Sequence, residues 1–158
     1  MNTRRTLLFF LAAAVALAQN KPDYSGNWKL NAEESNFTDK RTRAPDHLTW
    51  NIRQVKNHIY YKVAAERDGK KNAFEADAEI GGEPFESDAA GIIRFRWNGA
   101  NLAVDTLYNP GQERQTSMEE TWTLSADGKK LTDEVVYHVP KSAKDPSDVH
   151  FTRVFDKP

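Results

Sequence analysis

Leu48-Thr49-Trp50-Asn51-Ile52-Arg53-Gln54-Val55-Lys56-Asn57-His58-Ile59-Tyr60-Tyr61-Lys62-Val63 is the stretch that decides the fold. Apolar and polar residues alternate on both sides of Lys56-Asn57, the period of a half-buried strand. A two-residue turn there sets Ile52 opposite Tyr61, Trp50 opposite Val63 and Leu48 opposite Ala65, while Arg53 and Lys62 take the other face. A slip of one residue would turn every side chain to the wrong face. Turn and alternation therefore specify one antiparallel hairpin with one buried side.

The same test extends in both directions. Asp68-Gly69 sets Val63 opposite Phe74 and Tyr61 opposite Ala76, with Glu75 and Asp77 outward. Asn98-Gly99 sets Phe95 opposite Leu102 and Ile93 opposite Val104. Asp127-Gly128 sets Leu124 opposite Leu131 and Met118 opposite Tyr137. Asn and Asp followed by Gly suit the positive φ of tight hairpins. Asn109-Pro110-Gly111 fails as a tight turn, because it opposes Val104 to Ser117; one extra, bulged residue restores the phase by bringing Met118 into place.

Ten strands follow, at about 26–31, 46–54, 58–66, 71–79, 83–88, 91–97, 100–108, 114–124, 130–139 and 149–156. Short connections make neighbours pair in order, so the expected fold is all-β, an up-and-down antiparallel barrel closed to remove its edges. A two-sheet sandwich is the structural alternative. The polar stretch Asn31 to Pro45 allows at most a turn of helix.

Outside the strands, Met1 to Arg5 is short and cationic, Leu7 to Ala18 is apolar, and Ala16-Leu17-Ala18 supplies a small-x-small end. This is the pattern of a secretory signal peptide over residues 1–18, cleaved before Gln19, leaving one domain over 19–158. The apolar run is shorter than the about 20 residues a spanning helix needs, so stable membrane insertion is not expected. Thr3-Arg4-Arg5-Thr6-Leu7-Leu8 also fits a loose twin-arginine pattern. The expected location is exported, periplasmic or secreted. The chain has no cysteine, so an exported form relies on its core and its ladder, without disulfides or an acylated anchor. The formal charge of −1 becomes −3 once Arg4 and Arg5 leave. A mixed, weakly acidic surface argues against nucleic acid, which demands a basic face. Lys40-Arg41-Thr42-Arg43 is the one basic cluster, and a solvated loop accounts for it.

Two motifs stand at the ends of the expected barrel: Tyr24-Ser25-Gly26-Asn27-Trp28-Lys29-Leu30 and Phe151-Thr152-Arg153-Val154-Phe155-Asp156-Lys157. The first resembles the Gly-x-Trp of the calycins, the lipocalins and fatty-acid-binding proteins. The second resembles the Thr-Arg-x-Tyr-x-Lys ending of the fatty-acid-binding proteins. Ile80 to Glu86 and Arg96-Trp97-Asn98-Gly99 are similar to strand and turn segments of that group. With its leader, the chain looks like a small exported bacterial lipocalin-like protein. The resemblance implies a barrel closed by Gly26, Trp28 and Arg153, with the guanidinium resting on the Trp28 ring. Alternation points the same way, placing Arg153 inward with Phe151 and Phe155, where a charge must be paired or stacked. In fatty-acid-binding proteins the matching arginine helps hold a carboxylate, assisted by a tyrosine two residues later. That position is Phe155 here, and residues 31–45 are too short for the family's helical lid.

The inward residues include Trp50, Tyr61, Phe74, Phe95, Tyr108, Glu120, Trp122, Tyr137 and Arg153, which form the expected ligand-binding set. Aromatic lining with polar handles suits an apolar pocket, and the same residues could fill the barrel solid. Inward Glu120, with Asp133 opposite Trp122, favours a wet or ligand-bearing interior, since lone buried acids are costly. The expected function is an exported protein holding an apolar or amphipathic small molecule. The alternative is a solid barrel that uses its surface, namely outward Tyr60, Val136 and Val154 and the basic loop Lys40 to Arg43, to meet a protein or polymer.

No catalytic motif is present, and no catalytic residue, metal or cofactor is expected. His47 and His58 lie about eight residues apart along one hairpin, or ~27 Å. His138 and His150 would face each other if Val139 pairs with Val149, a contact able to take zinc adventitiously. Oligomeric state has no signature in the sequence.

Overall fold

The structure is a computed structural model and describes residues 21–87, 91–140 and 142–158; the leader sequence lies outside them. Ten strands are present among the described residues: β1 (Gly26–Leu30), β2 (His47–Val55), β3 (His58–Arg67), β4 (Lys70–Glu79), β5 (Phe85–Ser87), β6 (Gly91–Asn98), β7 (Asn101–Tyr108), β8 (Thr116–Leu124), β9 (Lys130–His138) and β10 (Val149–Asp156). They form one antiparallel sheet in the order β4-β3-β2-β1-β10-β9-β8-β7-β6-β5, an up-and-down meander whose ends β1 and β10 pair. The sheet curls into a nearly closed barrel. At the seam, Gly81 N–H donates to Phe95 O at 2.8 Å. Tyr61 of β3 also packs edge-on against Phe74 of β4 and Phe95 of β6, at 5.6 and 6.2 Å.

The deciding hairpin has the expected register, Ile52 with Tyr61, Trp50 with Val63 and Leu48 with Ala65. The Asp68-Gly69 and Asp127-Gly128 hairpins agree as well. Asp68 and Gly69 both take positive φ, 50° and 73°, as the tightest hairpin turn requires.

Three expected pairings are corrected. Around Asn98-Gly99 the turn is Gly99-Ala100, with Asn98 opposite Asn101, so Phe95 faces Val104 and Trp97 faces Leu102. Gly99 takes the first central position at φ 61°, where glycine is easiest to place, and Asn98 joins the strand. The shift is two residues, so no side chain changes face. The connection at Asn109 is a seven-residue loop over 109–115, not a bulge. It is braced by Gly111 N–H to Gln115 Oε1, and it sets Val104 opposite Glu120 and Thr106 opposite Met118. The phase is as expected and the register is two residues further along. In the last hairpin Val149 pairs with Tyr137, not Val139. His138 therefore meets Asp148 at 3.0 Å and Glu119 at 3.3 Å, and His150 lies opposite Val136. Among the described residues no group of three His, Asp or Glu side chains is placed to hold a metal ion.

The segment after β1 continues beside β10, with backbone hydrogen bonds to Val154 and Thr152. Asn36 pairs with Thr152, and Ser35 Oγ accepts from Val154 N–H at 2.9 Å. This covers Val154, which is buried and so unavailable as a surface contact, whereas Tyr60 is exposed.

Candidate ligand site

The barrel interior divides along its axis. At one end Tyr24, just before β1, is fully buried and donates from its hydroxyl to Trp122 O at 2.7 Å. Its backbone is strapped down by Gln54, whose side chain accepts from Tyr24 N–H and donates to Pro22 O. Trp28 beside it donates from Nε1 to Tyr24 O at 2.9 Å. A layer of rings fills the middle: Trp50 lies 4.0 Å from Phe155 and 4.9 Å from Trp122, and Tyr61 stands edge-on to Trp50 and Trp122 at 5.3 and 5.0 Å. Rings at these separations leave no channel through the centre.

Beyond that layer the other end is open and holds a cavity of about 500 Å³. Its wall is mainly apolar, built from Leu48, Val63 and Ala65 on one side and Val139, Val149 and Phe151 on the other. Phe37 from the 31–45 segment stacks on Phe151 at 5.7 Å and forms part of the wall. Arg41, Arg43 and Arg67 stand at the rim. Arg41 clamps the two loops of the mouth together, bonding Asp39 through Nε and Nη2 and Ser147 O through Nη1. That clamp holds the Asp39 carboxyl down to about 2. Arg43 pairs with Asp68 at 2.9 Å, and Arg67 donates to Arg43 O.

Arg153 and Tyr137 also line this cavity. Arg153 Nε donates to Asp133 Oδ2 at 2.6 Å, and Nη2 reaches Glu120 Oε1 at 2.5 Å. Its guanidinium lies 5.0 Å from the Trp50 ring. The expected contact with Trp28 is not made. Lys157 occupies that place, its Nζ 4.9 Å from the Trp28 ring. The reason is register: Arg153 stands opposite Asp133, part-way along the barrel, whereas Lys157 follows the end of β10, near Gly26 and Trp28.

Burial and the neighbouring Asp133 charge push the Glu120 carboxyl up to about 8. Asp133 is also raised, chiefly by burial, with Arg153 opposing the shift. Burial pushes Tyr108 up to about 12, with a further contribution from Glu120, and raises Tyr61 as well. The geometry is that of one cation held between two buried acids.

Of the expected set, the structure places Tyr137 and Arg153 at the cavity. Glu120 lies directly behind Arg153, and Tyr108 is near enough to feel its charge. Trp50, Tyr61, Phe95 and Trp122 form the central layer, and half-buried Phe74 packs on Tyr61 at the seam. Phe37 escaped the sequence reading, and Arg41 and Arg43 were read only as a solvated basic loop, because strand alternation says nothing about a loop folded over a barrel mouth; Arg67, the last residue of β3, was not singled out. A lone aromatic in the polar 31–45 stretch was the available signal.

Fold and interior together define a calycin-like β-barrel, plugged at one end and open at the other. No protein-family model and no curated protein matches the sequence. Among solved structures, the chain resembles a secretory abundant heat soluble (SAHS) protein from Ramazzottius varieornatus, with TM-score 0.56, 11% identity and coverage of 87% of this chain and 98% of that one. It also resembles apo lipid binding protein 8 of Caenorhabditis elegans, with TM-score 0.56, 16% identity and coverage of 85% and 95%. At these identities the likeness is one of fold.

Proposed function

We propose that this protein binds an apolar or amphipathic small molecule in the open end of its barrel, in an exported compartment, periplasmic or secreted. The observation that carries the reading is the cavity of about 500 Å³, with its apolar wall and one guanidinium at its inner end. Pockets of this size, mostly apolar with a few placed polar groups, are the usual small-molecule sites. The name of the nematode neighbour, a lipid binding protein, supports it at the level of class. Export rests on the leader pattern of residues 1–18.

The test is a fluorescence titration with the neutral probe N-phenylnaphthylamine. Saturable binding is expected, reduced more than about tenfold by Ala65→Trp, which fills the cavity from β3. Circular dichroism of that variant checks the fold. No saturable binding, or binding indifferent to Ala65→Trp and Tyr137→Ala, would count against the cavity. A mature mass beginning at Gln19 tests export.

A further inference from the structure

The trio behind the cavity decides what kind of head group it accepts. Arg153 uses Nε and Nη2 on Asp133 and Glu120, and no described residue accepts from Nη1. Glu120 and Asp133 are enclosed in the core, with side chains 4% and 0% exposed. Arg153, at 14%, is the member that lines the cavity. The groups around the trio on other strands are Tyr61 of β3, Tyr108 of β7 and the Trp50 ring of β2, which bring no cation; the other cations of the cavity, Arg41, Arg43 and Arg67, stand at its rim, the first two paired with Asp39 and Asp68. Glu134, beside Asp133 in β9, adds only negative charge.

Charge counting then limits the ligand. One guanidinium with two carboxyls is neutral when one proton is shared and carries −1 when none is. Only protonation of both carboxyls, in acid solution, leaves it positive. A free carboxylate docking on Arg153 would place a further negative charge in a buried, already balanced site, which is costly. An uncharged oxygen would accept from Nη1 without that cost.

We propose that the cavity takes an apolar chain ending in an uncharged oxygen acceptor, such as an ester, an alcohol or a protonated acid, with that oxygen on Arg153 Nη1, and discriminates against the free carboxylate. This rests on the binding function proposed above. Because the Glu120 carboxyl is held high, at about 8, the discrimination steepens as the shared proton is lost in alkaline solution.

The experiment is isothermal titration calorimetry of the whole mature protein with methyl dodecanoate and with dodecanoate, in buffers of differing ionisation heat, from about pH 6 to about pH 9. The ester is expected to bind with nearly constant affinity and no proton exchange. Dodecanoate is expected to bind at least about tenfold more weakly near pH 8 and to take up close to one proton. Dodecanoate binding as tightly as the ester, without proton uptake, overturns the proposal. Failure of both probes overturns the cavity reading, and this inference with it. Glu120→Gln combined with Asp133→Asn leaves the guanidinium unbalanced and should invert the preference. The wild-type titrations decide the matter whether or not that variant folds.

Discussion

Arg153 and Asp133 are directly opposed residues of β10 and β9, joined from Nε to Oδ2 at 2.6 Å with the carboxylate wholly buried. Truncating the arginine strands two acids in an aromatic interior. Arg153→Ala is expected to lower the unfolding free energy by about 3–5 kcal/mol in urea titrations. A loss under about 0.5 kcal/mol, the size of a surface effect, would mean that the contact is not buried. Replacing the trio together by Met and Leu should cost far less, because no unpaired charge remains.

Glu120 links the same cluster to pH. Its carboxyl ordinarily titrates at 4.5 and in the folded protein at about 8, raised mainly by burial and then by Asp133. Between those values the native state holds a proton that the unfolded chain has released. Stability therefore falls as pH rises from about 4.5 to about 8, by a few kcal/mol, and is retained below that window. Glu120→Gln keeps the uncharged form at every pH and should flatten the profile. Urea midpoints at several pH values would show this, and a wild-type profile that rises across the window would rule it out.

The contrast between strands and loops explains what the sequence could tell. Alternation reports faces, and all the inner residues of the hairpin between Leu48 and Val63 are where the pattern puts them. It reports register only where a tight turn pins it, so the seven-residue loop after Tyr108 and the ten-residue connection before Val149 each shifted pairing by two residues without turning a side chain over. That Glu120, Asp133 and Arg153 point inward was legible; that they meet was not, because it depends on the register of β8, β9 and β10 together. Tyr24 and Phe37 lie outside any strand, and no periodicity marks them.

Gly26 is a position where the absence of a side chain is used. A Cβ there would stand 2.2 Å from Lys157 Cε, and the residue adopts φ +154°. Lys157 passes across this space to reach the Trp28 ring. Gly26→Ala should cost about 1–2 kcal/mol, from backbone strain and displacement of that lysine. Lys157→Ala should cost about 1 kcal/mol, the worth of a half-buried cation–π contact. The double variant should lose less than the two singles added, since one displaced contact is counted twice. Strict additivity would show that the glycine and the lysine are independent.

Tyr24 tests whether the segment before β1 belongs to the folded unit. Its ring packs at 6.1 Å on Trp122 and 6.3 Å on Trp97, and its hydroxyl caps Trp122 O inside the plugged end. Tyr24→Phe keeps the ring and removes a donor, leaving a buried carbonyl to find another partner, at about 1 kcal/mol. Tyr24→Ala empties the plug and should cost about 3–5 kcal/mol. Burial also pushes this phenol up to about 12. The native state then keeps its proton above the ordinary value of 10.0, while the unfolded chain ionises, so this residue makes the fold lose stability as pH rises beyond 10. Tyr24→Phe should therefore lie below the wild type at neutral pH and draw closer to it in alkaline solution. Parallel curves, or an alanine variant as stable as the wild type, would place the ring outside the cooperative core.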